Sequence, residues 1–381
     1  MSQHDSRPVG IFVHHQGRGH AERCAALANA LVQYRPVTLF YARADIFPEL
    51  QSGIDVVTIP SLFETQEREA PRLAAMPTPD TLHCAPLGWH AISDAVATLT
   101  GWFARARPAL FITDVSAEIG QLCRIASVPH IAVLQHGDRD DPAHRASYDG
   151  AAALLAPYHP MLEQPGRPEA LRAKTIHAPG LGIDLLNPDP DARSRIRAPE
   201  GRELVVVIAG GGGQGTPTAP LTLGARAEPD THWIVIGGTF SEWHETPPGN
   251  LELRGWVDNP QDHIAAADRI VSSCGNTTVH QVMQTGKPWI AIPEWRYFAE
   301  QERKAEALAA AGLCASQPTW PSDAAGWARL WDRARQADPG KGRTLVGGDA
   351  APLAARRIDA LARELWEGAA PIEATDKDFA A

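Results

Sequence analysis

This sequence of 381 residues lacks the patterns that mark a disulfide framework or a zinc site. Its five cysteines, Cys24, Cys84, Cys123, Cys274 and Cys314, form no C-x-x-C pair, so we expect reduced thiols in a cytoplasmic protein. Lysine and arginine total 35 against 45 aspartates and glutamates, and this deficit argues against nucleic acid or an anionic membrane as a broad partner. No apolar run approaches the length of a membrane span, although peripheral membrane contact stays open.

Short apolar runs alternate with helical segments along two stretches of the chain. Runs such as Val9 to His14 and Glu203 to Ala209 have the length and composition of buried strands. This alternation predicts an α/β fold with parallel sheets covered on both faces. Residues 179–201 are rich in proline and glycine without periodicity, so we interpret them as a linker between two domains. We expect the tail at 369–381 to be disordered.

A glycine loop, Gly17-x-Gly19-His20, follows the first predicted strand. At the positive end of the next helix, His20 is expected to stay neutral and could accept a proton. Asp114 ends the fourth predicted strand on the same edge of the sheet, where its carboxylate could orient His20. Each residue alone could instead cap a helix, whereas together they favour a catalytic pair. Arg23 is either a solvated side chain or a charge partner near this site.

Small polar residues follow a strand of the second half, from Ser272 to Thr278. They bring backbone N–H groups and hydroxyls to the start of a helix, where an anion is favoured. A second loop, Gly210 to Gly215, fits G-x-G-x-x-G, but the next strand ends in Gly237-Gly238, where a dinucleotide site needs an acidic residue. We therefore favour a loop that faces phosphate, and a merely flexible loop is the alternative.

Further motifs occur in order along the chain. With the Gly-x-Gly-His loop, they are Gly213-Gln214-Gly215, Trp256-Val257-Asp258, Ser273 to Val279, Gly286-Lys287-Pro288, Pro293, and Glu300-Gln301 ahead of Lys304-Ala305. In this order the set resembles the GT-B glycosyltransferases of families 1 and 28, and it is similar to the peptidoglycan N-acetylglucosaminyltransferase type.

The resemblance implies two Rossmann-like domains that face each other across a cleft. Residues 1–178 would bind the acceptor, residues 202–350 would bind a nucleotide-sugar donor, and a helix at 351–368 would cross back to the first domain. The implied activity is an inverting transfer of a sugar from a UDP- or dTDP-sugar to a hydroxyl acceptor, with no metal ion and no cofactor. The acceptor, a small molecule or a lipid-linked compound, is not identified by these residues.

Carried over residue by residue, the resemblance implies that His20 is the general base and Asp114 its partner. The donor would be held mainly by the second half. The implied donor-binding residues are Gly19, Gly213, Gln214, Gly215, Val257, Ser273, Gly275, Asn276, Thr277, Thr278, Gln281, Trp295, Glu300 and Gln301.

Two positions depart from the family pattern. Gln281 stands where a glutamate usually accepts hydrogen bonds from both ribose hydroxyls, so a deoxyribose donor such as a dTDP-sugar is an option. Ser273 stands where a histidine usually contacts the diphosphate. Two other functions therefore stay open: a nucleotide-sugar epimerase or hydrolase on the same fold, and a non-catalytic nucleotide-sugar-binding partner of another transferase.

Overall fold

The structure is a computed structural model that describes residues 7–15, 17–64, 70–184, 186, 189–210, 213, 215–241 and 246–370. Gln214, Gly211 and Gly212 of the second glycine loop lie outside the described residues. The same holds for all but the first two residues of the tail at 369–381, so its predicted disorder stays a prediction.

The first half folds around a parallel sheet with the strand order β3-β2-β1-β4-β5-β6-β7. Its strands are β1 (Val9–Phe12), β2 (Val37–Tyr41), β3 (Ile54–Thr58), β4 (Leu110–Thr113), β5 (His130–Val133), β6 (Ala153–Ala156) and β7 (Thr175–His177). The central strands β1, β4 and β5 are buried along their whole length, as expected for a parallel sheet. Phe12 of β1 pairs with Thr113 of β4, so the carboxyl ends of these two strands lie level.

The second half contains another parallel sheet, with the order β12-β10-β8-β13-β14-β15, and a short pair of β9 with β11. The strands are β8 (Glu203–Ile208), β9 (Thr216–Pro217), β10 (Thr231–Ile236), β11 (Thr239–Phe240), β12 (Leu251–Gly255), β13 (Arg269–Ser272), β14 (Trp289–Ala291) and β15 (Ala315–Ser316). Ser272 at the end of β13 pairs with Ile208 of β8 and Ala291 of β14. The prediction of parallel α/β sheets is confirmed in both halves.

Helices connect the strands of both sheets. They are α1 (Arg18–Leu31), α2 (Pro71–Ala74), α3 (His90–Ala106), α4 (Ala117–Ile125), α5 (Pro142–Gly150), α6 (Glu169–Arg172), α7 (Ala192–Arg195), α8 (Thr218–Ala227), α9 (Pro260–Ala266), α10 (Asn276–Met283), α11 (Glu300–Ala310), α12 (Ala324–Gln336) and α13 (Ala350–Glu367). Short 3₁₀ turns occur at Pro160–Leu162, Tyr297–Ala299 and Pro339–Leu345. Among the described residues, no helix is both long enough and apolar enough to cross a bilayer.

The last helix, α13, packs on the first sheet although it follows the second half in sequence. Its buried Ile358 belongs to the same apolar cluster as Leu27 and Leu31 of α1. Arg35 donates to Asp359 at 2.6 Å, and this ion pair is largely buried. The domain bounds given above stay predictions, but the contacts of α13 tie the end of the chain to its beginning.

In each sheet the strand order reverses between two neighbouring strands that are distant in sequence. In the first sheet these strands are β1 and β4, and in the second they are β8 and β13. Ligands of open α/β sheets bind beyond the carboxyl ends of the strands at such a point. The segment that leads into α1, with His20 in the first turn of that helix, follows β1, and Asp114 follows β4. The second glycine loop and Ser273 follow β8 and β13.

Candidate active site

His20, Asp114 and Arg23 form a hydrogen-bonded group at the end of the first sheet. Helix α1 begins at Arg18, so His20 lies in its first turn. The Nδ1 atom of His20 is 2.7 Å from Oδ2 of Asp114. Arg23, one turn further along α1, donates to Oδ1 of the same carboxylate. The structure thus brings together the pair expected from the sequence and makes Arg23 a charge partner rather than a solvated side chain.

The hydrogen bonds around His20 indicate which ring nitrogen carries the proton. A carboxylate only accepts, so the contact with Asp114 has Nδ1–H of His20 as its donor. Nη2 of Arg23 lies 3.0 Å from the same Nδ1, but this guanidinium also donates to Asp114. In the neutral ring this tautomer leaves Nε2 of His20 without a proton, so that Nε2 can accept one from a hydroxyl group.

Asp114 is fully buried and carries a negative charge at neutral pH. Burial alone would raise the pKa of this carboxyl, but the neighbouring Arg23 and His20 hold the pKa well below its usual range. The backbone N–H of His14 adds a further hydrogen bond to Oδ2, at 3.2 Å. A charge held in this way can stabilise a protonated imidazole at His20.

The structure offers no capping role for either residue. Helix α4 begins after Ser116, whose Oγ accepts from the backbone N–H of Ile119 at 3.3 Å, so the cap is Ser116 and not Asp114. Helix α1 is preceded by Gly17 and has no side-chain cap. The two simpler interpretations of His20 and Asp114 are therefore not observed, while their catalytic role stays a prediction.

An apolar cavity of about 220 Å³ extends to Phe63, and the ring of His14 lies between Phe63 and His20. Phe63 lines this cavity, and its ring is 4.6 Å from that of His14, which in turn is 5.1 Å from the ring of His20. Burial and the nearby His20 lower the pKa of His14 to about 3, so His14 stays neutral in the physiological range. The cavity is lined mostly by side chains from residues 62–96 and from α4, among them Leu62, Leu82, Ile92, Val96 and Leu122.

Helix α10 begins at Asn276, and its first turn faces the start of α1, which contains Gly19 and His20. A Cβ atom placed on Gly19 would lie 3.1 Å from Oγ1 of Thr277, so the absence of a side chain at Gly19 leaves room for the two halves to approach here. Ser273 ties the two loops of the second sheet together, because its Oγ accepts from the backbone N–H of Gly210 at 3.4 Å. The first N–H groups of a helix have no acceptor within that helix, so the start of α10 favours an anion in this cleft.

The remaining glycine-loop positions lie along the second sheet's edge. Gly213 is exposed, and a side chain there would overlap the carboxylate of Glu294. Gly215 lies against the backbone of Gly238. Val257 is partly buried against the core, beside the exposed Trp256.

Glu300 and Gln301 are the first two residues of helix α11, but their surroundings differ. Gln301 is buried, and its Oε1 accepts from the backbone N–H groups of Cys274 at 2.8 Å and Glu294 at 2.9 Å. Only its amide NH₂ group is left to meet a ligand. Glu300 stays partly exposed and receives a hydrogen bond from Arg139 of the first half at 3.2 Å.

Gln281, Trp295 and Thr278 complete the expected donor-binding set. Gln281 is half-buried on α10, and Thr278 is buried in the first turn of the same helix. Trp295 is exposed and packs edge-on against Tyr297, with ring centroids 5.0 Å apart. Their roles in donor binding stay predictions.

Solved structures are similar to the chain over nearly its whole length. Phytolacca americana UGT2, complexed with UDP-2-fluoro-glucose and pterostilbene, is 15% identical with a TM-score of 0.60 and covers 94% of this chain and 96% of its own. Acinetobacter baumannii MurG is 14% identical with a TM-score of 0.58, covering 92% and 98%. The glycosyltransferase SnogD from Streptomyces nogalater is 18% identical with a TM-score of 0.56, covering 93% and 99%. The chain has the GT-B fold.

The GT-B architecture predicted from the sequence is therefore confirmed, with its two facing α/β halves. No model of a known protein family matches the chain, and no curated protein matches its sequence. At such low identities the likeness establishes the fold, and the chemistry of this chain has to be argued from its own residues.

Arg139 is a site residue that the sequence did not indicate. It lies just beyond β5, and its guanidinium is 4% exposed. It donates to the backbone oxygen of His136 at 3.1 Å, to Gln135 Oε1 at 2.9 Å and to His144 Nε2 at 2.9 Å, besides Glu300. In the sequence, only its position after a strand end indicates a role in the site. Its partner Glu300 is 161 positions away, so the sequence does not indicate the ion pair.

His83, Asp141 and His144 are close enough together to suggest a metal site. Arg139 only donates, so His144 must accept through Nε2 and donate its Nδ1–H to Asp141, at 2.5 Å. Burial and Arg139 lower the pKa of His144 to about 4, which keeps the ring neutral. Asp141 also accepts from His83 at 2.8 Å and caps α5. Hydrogen bonds thus account for the cluster, and the adjacent guanidinium disfavours a cation.

Proposed function

We propose that this protein is an inverting glycosyltransferase that moves a sugar from a UDP- or dTDP-sugar to a hydroxyl group of an acceptor. The observation that carries the proposal is the group of His20, Asp114 and Arg23, which faces the start of α10 across the contact between Gly19 and Thr277. A proton acceptor and an anion-binding helix end thereby share one cleft. The GT-B fold, which this chain shares with named glycosyltransferases, supports the same proposal.

In the proposed reaction, Nε2 of His20 takes the proton of the acceptor hydroxyl. The hydroxyl oxygen forms a bond to the anomeric carbon as the bond from that carbon to the diphosphate oxygen breaks on the opposite face. The configuration at the carbon is thereby inverted, and the nucleoside diphosphate leaves with the bonding electron pair. Asp114 stabilises the positive charge that develops on His20.

The departing diphosphate would be stabilised by the first turn of α10. Its backbone N–H groups and the hydroxyls of Thr277 and Thr278 supply positive potential and hydrogen bonds to a developing anion. We propose that this suffices without a divalent metal ion. Gly213 and Gly215 would allow the nucleotide to approach the sheet edge near Val257.

We propose that the acceptor has an apolar body that carries the reactive hydroxyl. The support is the cavity of about 220 Å³, whose walls are mainly aliphatic and include Phe63, the residue that packs on His14. An apolar molecule in that cavity would gain free energy from burial, and its hydroxyl could reach toward His20. Pterostilbene and quercetin, present in complexes of two GT-B structures, are suitable probes of this acceptor class.

The test is release of nucleoside diphosphate from UDP-glucose or dTDP-glucose, with and without these two phenols and with EDTA in parallel. Release that requires the acceptor, persists in EDTA and gives a product of inverted anomeric configuration by NMR supports the proposal. Conversion of the donor without acceptor would instead indicate an epimerase or hydrolase. Donor binding with no turnover would indicate a non-catalytic binding protein.

A further inference from the structure

Arg139 of the first half and Glu300 of the second half form an ion pair across the cleft. Nη2 of Arg139 is 3.2 Å from Oε2 of Glu300. The guanidinium is almost fully buried, whereas the carboxylate of Glu300 retains 21% exposure. Glu300 can therefore still present a carboxylate oxygen to a ligand while Arg139 of the first half holds its Oε2 atom.

The contacts of Arg139 make Glu300 its necessary counterion. Its other described hydrogen bonds go to neutral groups: the backbone oxygen of His136, the amide oxygen of Gln135 and the ring nitrogen of His144. A buried cation without a carboxylate partner is costly, so this guanidinium holds Glu300 in place. Lys304 adds a weaker attraction, with Nζ at 3.9 Å from Glu300 Oε1.

The backbone before Glu300 is held against the first half as well. Phe298 and Ala299 have positive φ angles of 61° and 49°, which are strained for residues with side chains. The carbonyl of Phe298 accepts from the backbone N–H of Asp138 at 2.7 Å. The Phe298 ring packs under Arg139, with the guanidinium carbon 5.2 Å from the ring centroid. Contacts from the first half thus fix both the segment that leads into α11 and the carboxylate at its start.

We propose that Arg139 is a positioning residue that orients Glu300 toward the sugar part of the donor. The half that carries the acceptor cavity then helps to determine the affinity for the donor sugar. This inference rests on the proposed function and on Glu300 as a ligand of the sugar hydroxyls. It adds a contribution from the first half to a donor site that the sequence assigned mainly to the second half.

The test compares the affinities for a nucleoside diphosphate and for its glucose ester. Calorimetry measures binding of UDP, UDP-glucose, dTDP and dTDP-glucose to the wild type and to Arg139→Gln, Glu300→Gln and the double variant. Each single variant should lose on the order of tenfold in affinity for the sugar ester and keep its affinity for the bare diphosphate. The double variant should lose little more than either single one, because both substitutions remove the same interaction.

A matched control is Arg303→Gln. Arg303 also reaches across the cleft, to Asp138 at 2.7 Å, but its side chain is 40% exposed, and its ion pairs among the described residues are with Asp138 and Glu306 rather than Glu300. Its replacement should leave the ratio of the two affinities unchanged. Arg139→Lys keeps the charge without the planar set of donors, so it should retain part of the affinity for the sugar ester that Arg139→Gln loses. It replaces Arg139→Gln in the test if that variant does not fold.

The outcomes separate the two proposals. If the wild type binds no nucleotide-sugar, the proposed function is wrong and this inference falls with it. If the wild type prefers the sugar ester and the Arg139 variants keep that preference, the inference alone is overturned. Equal losses for the bare diphosphate and the sugar ester would also overturn it, since they would indicate a general structural role.

Discussion

Asp114 is the residue on which the charge balance of the candidate site depends. Its carboxylate is fully buried and bonded to both Arg23 and His20. Replacing Asp114 with Asn leaves Arg23 as a buried cation with no counterion at this position, so the free energy of unfolding should fall by roughly 3–5 kcal/mol. Urea unfolding at pH 7 measures the change. As a matched control, Asp45→Asn removes the exposed ion pair with Arg43 and should have little effect.

The stabilisation by Asp114 should also depend on pH in a definite direction. Its folded pKa lies below the unfolded value of about 3.9, so its contribution is complete above pH 5 and is lost as the pH falls. Between pH 7 and pH 3 the difference between wild type and Asp114→Asn should shrink by about 1 kcal/mol. A difference that stays constant over this range would contradict the assigned ionisation of Asp114.

At the residue scale, the sequence predicts those site residues that directly follow a buried strand. His20 and Asp114 each follow a buried apolar run, and adjacent parallel strands bring such positions to one edge. Arg139 could not be predicted, because its role depends on how the two halves meet. The burial of Gln301 is not predictable from the sequence either. Its side-chain oxygen accepts hydrogen bonds from two backbone N–H groups that only the fold brings together.

At the scale of elements, strands were easier to predict than short helices. The apolar runs at β8 and β10 are buried in the structure because each is covered on both faces. Helix α5 is not predictable from apolar periodicity, since its buried face consists of Ala, His, Ser and Tyr side chains. Its start did carry a signal, Asp141 as the cap followed by Pro142.

Gly182, within the predicted linker, packs directly on helix α1. Its φ angle is 76°, and an added Cβ atom would lie 2.6 Å from the backbone nitrogen of Arg23. Gly201 has a similar φ of 71° but no heavy atom within 4 Å of that point. Both alanine substitutions carry the cost of a left-handed conformation, so Gly182→Ala should destabilise the protein by roughly 1–3 kcal/mol more than Gly201→Ala. Equal losses in urea unfolding would contradict the close packing at Gly182.

At the scale of the whole molecule, α13 joins the end of the chain to the first sheet. Ile358 is fully buried in the cluster with α1, whereas Leu365 on the same helix is 46% exposed. Ile358→Ala should lower the free energy of unfolding by about 2–5 kcal/mol, and Leu365→Ala should change it much less. Circular dichroism during urea unfolding measures both. Similar effects of the two substitutions would mean that α13 does not pack on the first sheet through this face.

In the proposed reaction the second half holds the donor near α10, and His20 of the first half deprotonates the acceptor. The most direct test is the turnover of His20→Ala, with donor binding measured on the same sample. If His20 is the base, acceptor-dependent release of nucleoside diphosphate should fall by at least about a hundredfold, while the affinity for the nucleotide-sugar changes little. Full turnover in His20→Ala would remove His20 from the mechanism and contradict the proposed chemistry.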